Sequence, residues 1–364
     1  MRRLRTIRGS VLVIVLITVM FTSMALVLLV EQASTDLLVE SRAAAARRLR
    51  QEAYSALEVT LATLEDFRRA NGALHSPAEG WGDPLGFAGW APREGCTAEV
   101  ALEDESGKIS LAHADFAMLV NLFKAWQFQQ PDAERLADAL LGWMRRDYVP
   151  ASAQSPDYDS GAIPYDEPGR PLRSFSELAA IDFAREVFYD EQGRPNDLWR
   201  RFTGTFSLFN YQQLNLNAAR PDVLAALGFT DPAQQQRFND FLAGTGAYER
   251  QGPGWFGSTA QVTSVLGAAP SQETGVQVRA LRVNVTVREG RSEFRLSAVV
   301  APAGGATIVQ TTATTARPAA SGNTAAAPVA APAGPAPQLN YPFTLLEIKE
   351  NAEMPPTPPV PPPA

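Results

Sequence analysis

The residues best suited to chemistry in this 364-residue chain are carboxylates on one loop. Asp147, Asp157, Asp159, Asp166 and Glu167 lie within "RRDYVPASAQSPDYDSGAIPYDEPG" (145–169), which is rich in Pro and Gly. Hard oxygen ligands on a pliant loop could hold calcium. No EF-hand spacing is present, so the plain alternative is a solvated acidic loop. Other metal-capable residues are few: His75, His113 and the single cysteine Cys96. They show no zinc spacing. A lone cysteine forms no intrachain disulfide, and two scattered histidines read as surface or loop residues. No Ser/His/Asp arrangement, P-loop or zincin motif occurs, and no two carboxylates group as acid and base. The sequence therefore points away from an enzyme. A net charge of −7 argues against nonspecific nucleic-acid binding, which needs a basic surface.

A different chemistry is posed at the amino terminus. The stretch "TIRGSVLVIVLITV" (6–19) sets Gly9 and Ser10 between an arginine-rich head and an apolar run. It could be a signal peptide, a plain anchor, or the substrate of a peptidase that cuts on the cytoplasmic side. From Val11 to Val30 the only polar residues are Thr18, Thr22 and Ser23. A helix of that length rises about 30 Å, matching the hydrocarbon core of a bilayer. Arg2, Arg3, Arg5 and Arg8 precede it and no acid does, which puts the amino terminus in the cytoplasm and the bulk of the chain outside. A signal peptide has a shorter apolar run and a clearer small-residue site after it.

These groups must be positioned by elements, and the first is a long helix. Beyond the apolar run, Leu49, Ala53, Leu57, Leu61, Leu64 and Phe67 recur every three or four residues, with Arg48, Glu52, Glu58, Glu65 and Arg68 on other faces. No Pro or Gly interrupts residues 11–70, and Gly72 supplies a left-handed stop. The simplest form is one rod, roughly 90 Å long. Next, "EGCTAEVALEDESGKISLAHAD" (94–115) reads as a hairpin: Val100 and Leu102 alternate, "DESG" turns, Ile109 and Leu111 return. The period then becomes helical up to about residue 267. Ser174 and Glu177 form a capping box before "ELAAID", and Asn217 is the expected cap of "ARPDVLAALG". Val278, Val283, Val285 and Val287 alternate as a strand, "REGRS" turns, and Phe294, Leu296, Ala298 and Val300 form its partner.

Residues 301–339 are almost wholly Ala, Pro, Thr, Gly and Ser and read as a disordered linker. "NYPFTLLEIKE" (340–350) reads as a final strand, and 351–364 as a Pro-rich tail. The expected class is α+β: a long N-terminal helix packed on an antiparallel sheet, with a large all-helical domain (112–267) inserted between strands. The full division is 1–9 leader, 10–30 membrane span, 31–72 amphipathic helix, 73–111 loop and first hairpin, the inserted domain, 276–300 second hairpin, then linker, strand and tail.

Several blocks together resemble the K-type minor pseudopilin of the bacterial type II (general) secretion pathway. They are the Arg-rich leader ending in Gly9, "DESGKISLAHAD" (104–115), "LADALLGWMRRD" (136–147), "YDEPGRPLRSFSELAAI" (165–181), "LNLNAARPDVLAALG" (214–228) and the closing hairpin. The resemblance implies a pilin-like fold and a prepilin peptidase that cuts Gly9–Ser10 and methylates the new terminus. Ser10 departs from the commoner aromatic or aliphatic residue there. Ile14, fifth after the cut, stands where major pilins carry a glutamate that K-type members usually lack; an intramembrane carboxylate is costly without a partner. Also implied are a tip position on a pseudopilus that exports folded proteins, and a single pass through the inner membrane with a periplasmic bulk. Expected partners are the I-type and J-type minor pseudopilins, the peptidase, inner- and outer-membrane components of the machine, and membrane lipid. The segment 214–228 resembles a helix-hairpin-helix, but the acidic balance and the expected location argue against nucleic acid. The alternative from another class is a single-pass anchored periplasmic ectodomain that binds a ligand.

Overall fold

The computed structural model describes residues 8–152, 156, 158, 164–252, 254–267, 273–308 and 342–351. Residues 1–7 of the leader, 309–339 of the 301–339 tract and the tail beyond Asn351 lie outside the described residues. The start of that tract is not a linker: Ala301 and Pro302 belong to a strand, Ala306 is buried and Thr307 bridges to Asn210, because the small apolar residues there still find a sheet to pack on. The chain opens with α1, Arg8–Asn71, a 64-residue helix. No breaker occurs between Val11 and Ala70, so the backbone ladder runs on. Its two halves differ in company. Leu12 to Val39 project free of the rest of the fold, with large apolar side chains exposed, whereas Leu49, Ala53, Ala56, Leu57, Leu61 and Leu64 are buried. Near the end Glu65 accepts from Arg68 and Arg69 at 2.6 and 2.7 Å, and Gly72 (φ 78°) turns the chain away.

The buried stripe of α1 needs an apolar surface opposite, and a four-stranded antiparallel sheet provides it. Its order is β1 (Cys96–Asp104), β6 (Leu281–Glu289), β7 (Ser292–Pro302), β8 (Phe343–Glu350). Leu281, Val283, Val285 and Val287 alternate inward from β6, and Phe294, Leu296, Ala298 and Val300 do so from β7. Between α1 and β1 the short α2 (Pro84–Ala88), capped by Asp83, and fully buried Trp81 close the end of this core. At the free edge, β8 is tied to the helix: Glu350 takes Arg50 at 2.8 Å and the Tyr54 hydroxyl at 2.6 Å.

Residues 105–280 form a separate body between β1 and β6, with its own core. Its helices are α3 (Phe116–Ala125), α4 (Gln130–Met144), α5 (Ala184–Phe188), α6 (Asp197–Thr205), α7 (Pro221–Ala226), α8 (Pro232–Ala243) and α9 (Thr259–Leu266). Leu119, Phe123, Leu136, Leu140, Phe202 and Phe238 are fully buried at its centre.

The α+β class read from the sequence holds, with two corrections inside it. The expected 94–115 hairpin does not form. β1 pairs with β6, Asp104 opposite Leu281, while β2 (Ile109–Ser110) lies parallel to β3 (Phe206–Ser207) in the inserted body. Alternation fixes which face a strand buries but not its neighbour, and both neighbours arrive from far along the chain. The inserted body is also not wholly helical. Besides β2–β3 it holds a second parallel pair, β4 (Leu214–Asn215) with β5 (Thr274–Gly275).

Two caps differ as well. Ser174 caps a 3-10 turn, Phe175–Ala180, and Glu177 serves the Arg173 amide and Arg170 rather than closing a capping box. Asn217 does not cap α7. Asn215 takes the Asn217 amide, and Asn217 reaches elsewhere, as described below.

Candidate functional site

Two regions combine exposure or buried polarity in a way that ordinary packing does not require: the free half of α1, and the crossing between sheet and inserted body. On α1, Gly9 and Ser10 fall in the first turns of the helix. Ile14 is exposed and its carbonyl accepts from Thr18 Oγ1 at 2.6 Å. Among the described residues α1 is the one helix long and apolar enough to cross a membrane, with none of its most apolar window buried. Leu37, Leu38 and Val39 stay exposed on the stretch beyond Glu31, where the apolar run has ended. Exposed aliphatic residues on a bare helix cost free energy in water, so this surface asks for lipid first and protein next.

The crossing is a neck. The chain leaves the sheet at Asp104 and returns opposite it at Leu281. A 3-10 turn, Glu105–Gly107, begins the exit, because the Asp104 carboxylate takes the Ser106 amide at 2.8 Å. Ser106 Oγ sits 2.5 Å from the same carboxyl oxygen and accepts from the returning Arg279 amide at 2.8 Å. The other Asp104 oxygen accepts from Asn215 Nδ2 at 2.6 Å, and Asn215 also donates to the His75 carbonyl at 2.8 Å. Asn217 donates to the carbonyls of Phe256 and Val276 and takes the Phe256 amide. The Tyr211 hydroxyl lies 2.7 and 2.8 Å from the carbonyls of Glu105 and Lys108. Thus "DESGK" and "LNLN", far apart in sequence, meet here. Gly107 has room for nothing more: a Cβ on it would stand 2.5 Å from Ala218 Cβ and 2.6 Å from the Ala218 carbonyl oxygen.

Charge is layered around this crossing. Glu105 is buried and paired with Arg282 at 2.6 Å and Lys108 at 3.2 Å, and Arg282 also takes Glu347 of β8 at 3.1 Å. Burial works to raise the Glu105 carboxyl, but Lys108 and Arg282 overcome it and hold it below the usual glutamate range. Asp104 has no such cation. It is half-buried as a residue, with its carboxyl turned inward to Ser106 and Asn215, and burial pushes it up to about 7 against the bonds that those partners supply. His75 keeps a loop position but is buried, which corrects the surface reading. Its ring stacks on Trp255, and Nδ1 meets Glu79 at 2.6 Å, while Glu79 also takes Trp81 Nε1. His113 is exposed and reaches Asn210 at 2.7 Å. On the other face of the sheet Phe209, Tyr211, Ala280, Val299, Ala301 and Ala306 make a small apolar seal. The polar side chains named here are engaged with one another, so the neck can hold and orient two bodies rather than attack a substrate.

The sequence reading missed this neck. "DESG" and "LNLN" were visible as motifs, and the signal was polar residues set among apolar ones. Of the calcium candidates, Asp147 (φ 56°), Asp166 and Glu167 are exposed, and Asp157 and Asp159 lie outside the described residues. Among the described residues no three His, Cys, Asp or Glu side chains come together to hold a metal. The carboxylate that organises the start of this loop is instead Asp138, buried on α4, which takes the Tyr148 hydroxyl and the amides of Ala151 and Ser152.

Residues 101–191 match the family model of type II secretion system (T2SS), protein K. The resemblance drawn from the sequence is borne out on that span. The fold is similar to a chain in the crystal structure of the GspK-GspI-GspJ complex from the enterotoxigenic Escherichia coli Type 2 Secretion System. The likeness has a TM-score of 0.53 and 14% identity, covering 86% of this chain and 99% of that one. No curated protein matches the chain.

Proposed function

We propose that this chain, whose residues 101–191 match the protein K family of type II secretion, is a K-type minor pseudopilin that caps a pseudopilus in the export of folded proteins. The observation that carries the reading is the bare, exposed half of α1. It is continuous with a half that is packed on a sheet, so one rod both enters a bilayer and offers a rail to sibling stems. The bulk of the inserted body, with a core of its own beside that of the sheet, supports a place at the tip rather than along a stacked shaft. Ile14 is consistent with a subunit that makes no intramembrane ion pair along a shaft. The partners in this reading are I-type and J-type minor pseudopilins, prepilin peptidase, and the inner- and outer-membrane parts of the machine. The chain acts as a structural subunit and not as an enzyme, anchored once in the inner membrane with its amino terminus cytoplasmic and its bulk periplasmic.

The test is the mass of the mature amino terminus. In cells with prepilin peptidase the chain should begin at Ser10, and in cells without it at Met1. A chain that begins at Met1 in both would remove the pseudopilin reading and leave an anchored ectodomain.

A further inference from the structure

The sheet is wider than the helix that covers it. α1 lies over β6 and β7, whose inward residues are buried against its stripe. On one side the rest of the inner face is covered too. Leu74, Trp81 and Leu85, from the segment that follows α1, are buried in the same core, and Val100 and Leu102 of β1 pack against it. Thr63, half a turn round the helix from Tyr54, donates to the Pro84 carbonyl at 3.2 Å on this side, away from β8. On the other side lies β8, the last strand of the sheet. Leu345 stands opposite Val300 and Ile348 opposite Ala298, both core residues, so these pairs share the inner face. Yet Leu345 is 51% exposed and Ile348 38%.

We propose that this β8 flank seats a second helix, the stem of a sibling minor pseudopilin running parallel to α1, with Leu345 and Ile348 as its floor. The assignment rests on the pseudopilin reading and names the surface that holds the sibling. Geometry points to a helix. Packed helices stand about 8–10 Å apart and neighbouring strands about 4.8 Å apart, so a helix laid beside one centred over β6 and β7 comes to rest over β8. An apolar stripe on that helix would take Leu345 and Ile348 out of water.

Continuity points to an anchored stem. Tyr54 bonds Glu350 beside the flank, and Asp36 lies about five turns below Tyr54 on the same side of α1. A helix that follows α1 from the flank therefore runs down its bare half and into the bilayer. Residues 12–43 of α1 are exposed on every side, so it is the sheet that chooses a side. Charge sets what the sibling carries. Asp36, Glu40 and Arg47 all lie within about 40° of Tyr54 around the helix, and none has an ion-pair partner among the described residues. The sibling stem should present a cation at the height of Asp36 and Glu40 and an acid at that of Arg47.

Photocrosslinking of the full chain in membranes of its own host tests this. A benzophenone amino acid replaces Leu345 or Ile348 and, for comparison, Phe87, which is 60% exposed on α2 at the covered side. Irradiation should join positions 345 and 348, and not 87, to the stem helix of an I-type or J-type sibling, with the joined residue found by mass spectrometry. The double variant Leu345→Ser, Ile348→Ser should lower the siblings recovered with the chain about tenfold. Its urea midpoint should stay put, because both side chains are exposed. Arg47→Glu should lower recovery at low salt and less so at high salt; no effect at low salt would strike the charge match. Sibling recovery unchanged in the double variant would overturn the proposal and leave the pseudopilin reading standing. So would flank crosslinks that go to a second copy of this chain, to a sibling's globular part or to lipid alone. An unmodified chain that recovers no sibling would overturn both.

Discussion

At Gly107 the turn that leaves the sheet lies tight against another segment of the inserted body, at Ala218. The glycine's backbone is ordinary, so no left-handed requirement keeps a side chain out; contact does. A Cβ there would press on the backbone and Cβ of Ala218, and neither is the far end of a flexible side chain. Gly107→Ala should destabilise the chain by about 1–3 kcal/mol, read as a lower urea midpoint at unchanged slope. A neutral result would show that the two segments separate at little cost. In the sequence the same glycine sits in "DESGK" and reads as a turn residue, which it is. That Ala218 stands against it could not be read, because nothing local says which distant segment a turn will meet. His75 teaches the same lesson. Its neighbours in sequence are ordinary loop residues, and its burial comes from Trp255, supplied by the segment between α8 and α9.

At the scale of elements, α1 makes the sharpest contrast, because one helix carries both a buried stripe and a bare surface. Leu64 is fully buried against the sheet, while Leu37 is 67% exposed. Leu64→Ala should cost about 2–5 kcal/mol of stability, from lost transfer free energy and the cavity left behind. Leu37→Ala should change stability by less than about 0.5 kcal/mol, yet lower the yield of sibling subunits recovered with the chain from membranes. Denaturant unfolding and co-purification on the same pair of variants separate folding from assembly. If Leu37→Ala also unfolded the chain, the lower stem would belong to the fold and not to an interface. The long helix was legible because the period of three to four persists without a breaker over many turns. The strands of the four-stranded sheet were legible from their period of two, but the short pairs of the inserted body and the partner of β1 were not. That partner arrives only after the inserted body, and a period of two says nothing about sequence distance.

For the molecule as a whole, stem, sheet and inserted body are coupled in series, and the last strand closes the series from outside. β8 pairs with β7, Pro302 opposite Phe343, although a long tract separates them in sequence, and Glu350 then ties that strand back to Arg50 and Tyr54 of the stem. The class of fold was readable because composition and period divide the chain cleanly. The neck was not, because it is assembled from short polar pieces of four separate segments. The Ala/Pro/Thr tract offers little apolar area to bury, so its main effect on stability should be the entropy of closing a loop between Ile308 and Phe343. Deleting residues 313–336 keeps the Ala306–Arg279 and Thr307–Asn210 backbone bonds. It shortens the closed loop from about 34 to about 10 residues and should raise stability by about 1 kcal/mol. Urea unfolding of the deleted chain checks the figure. A loss of stability would mean that the tract contributes contacts beyond its length, and the closing strand would then be held by more than β7 and the stem.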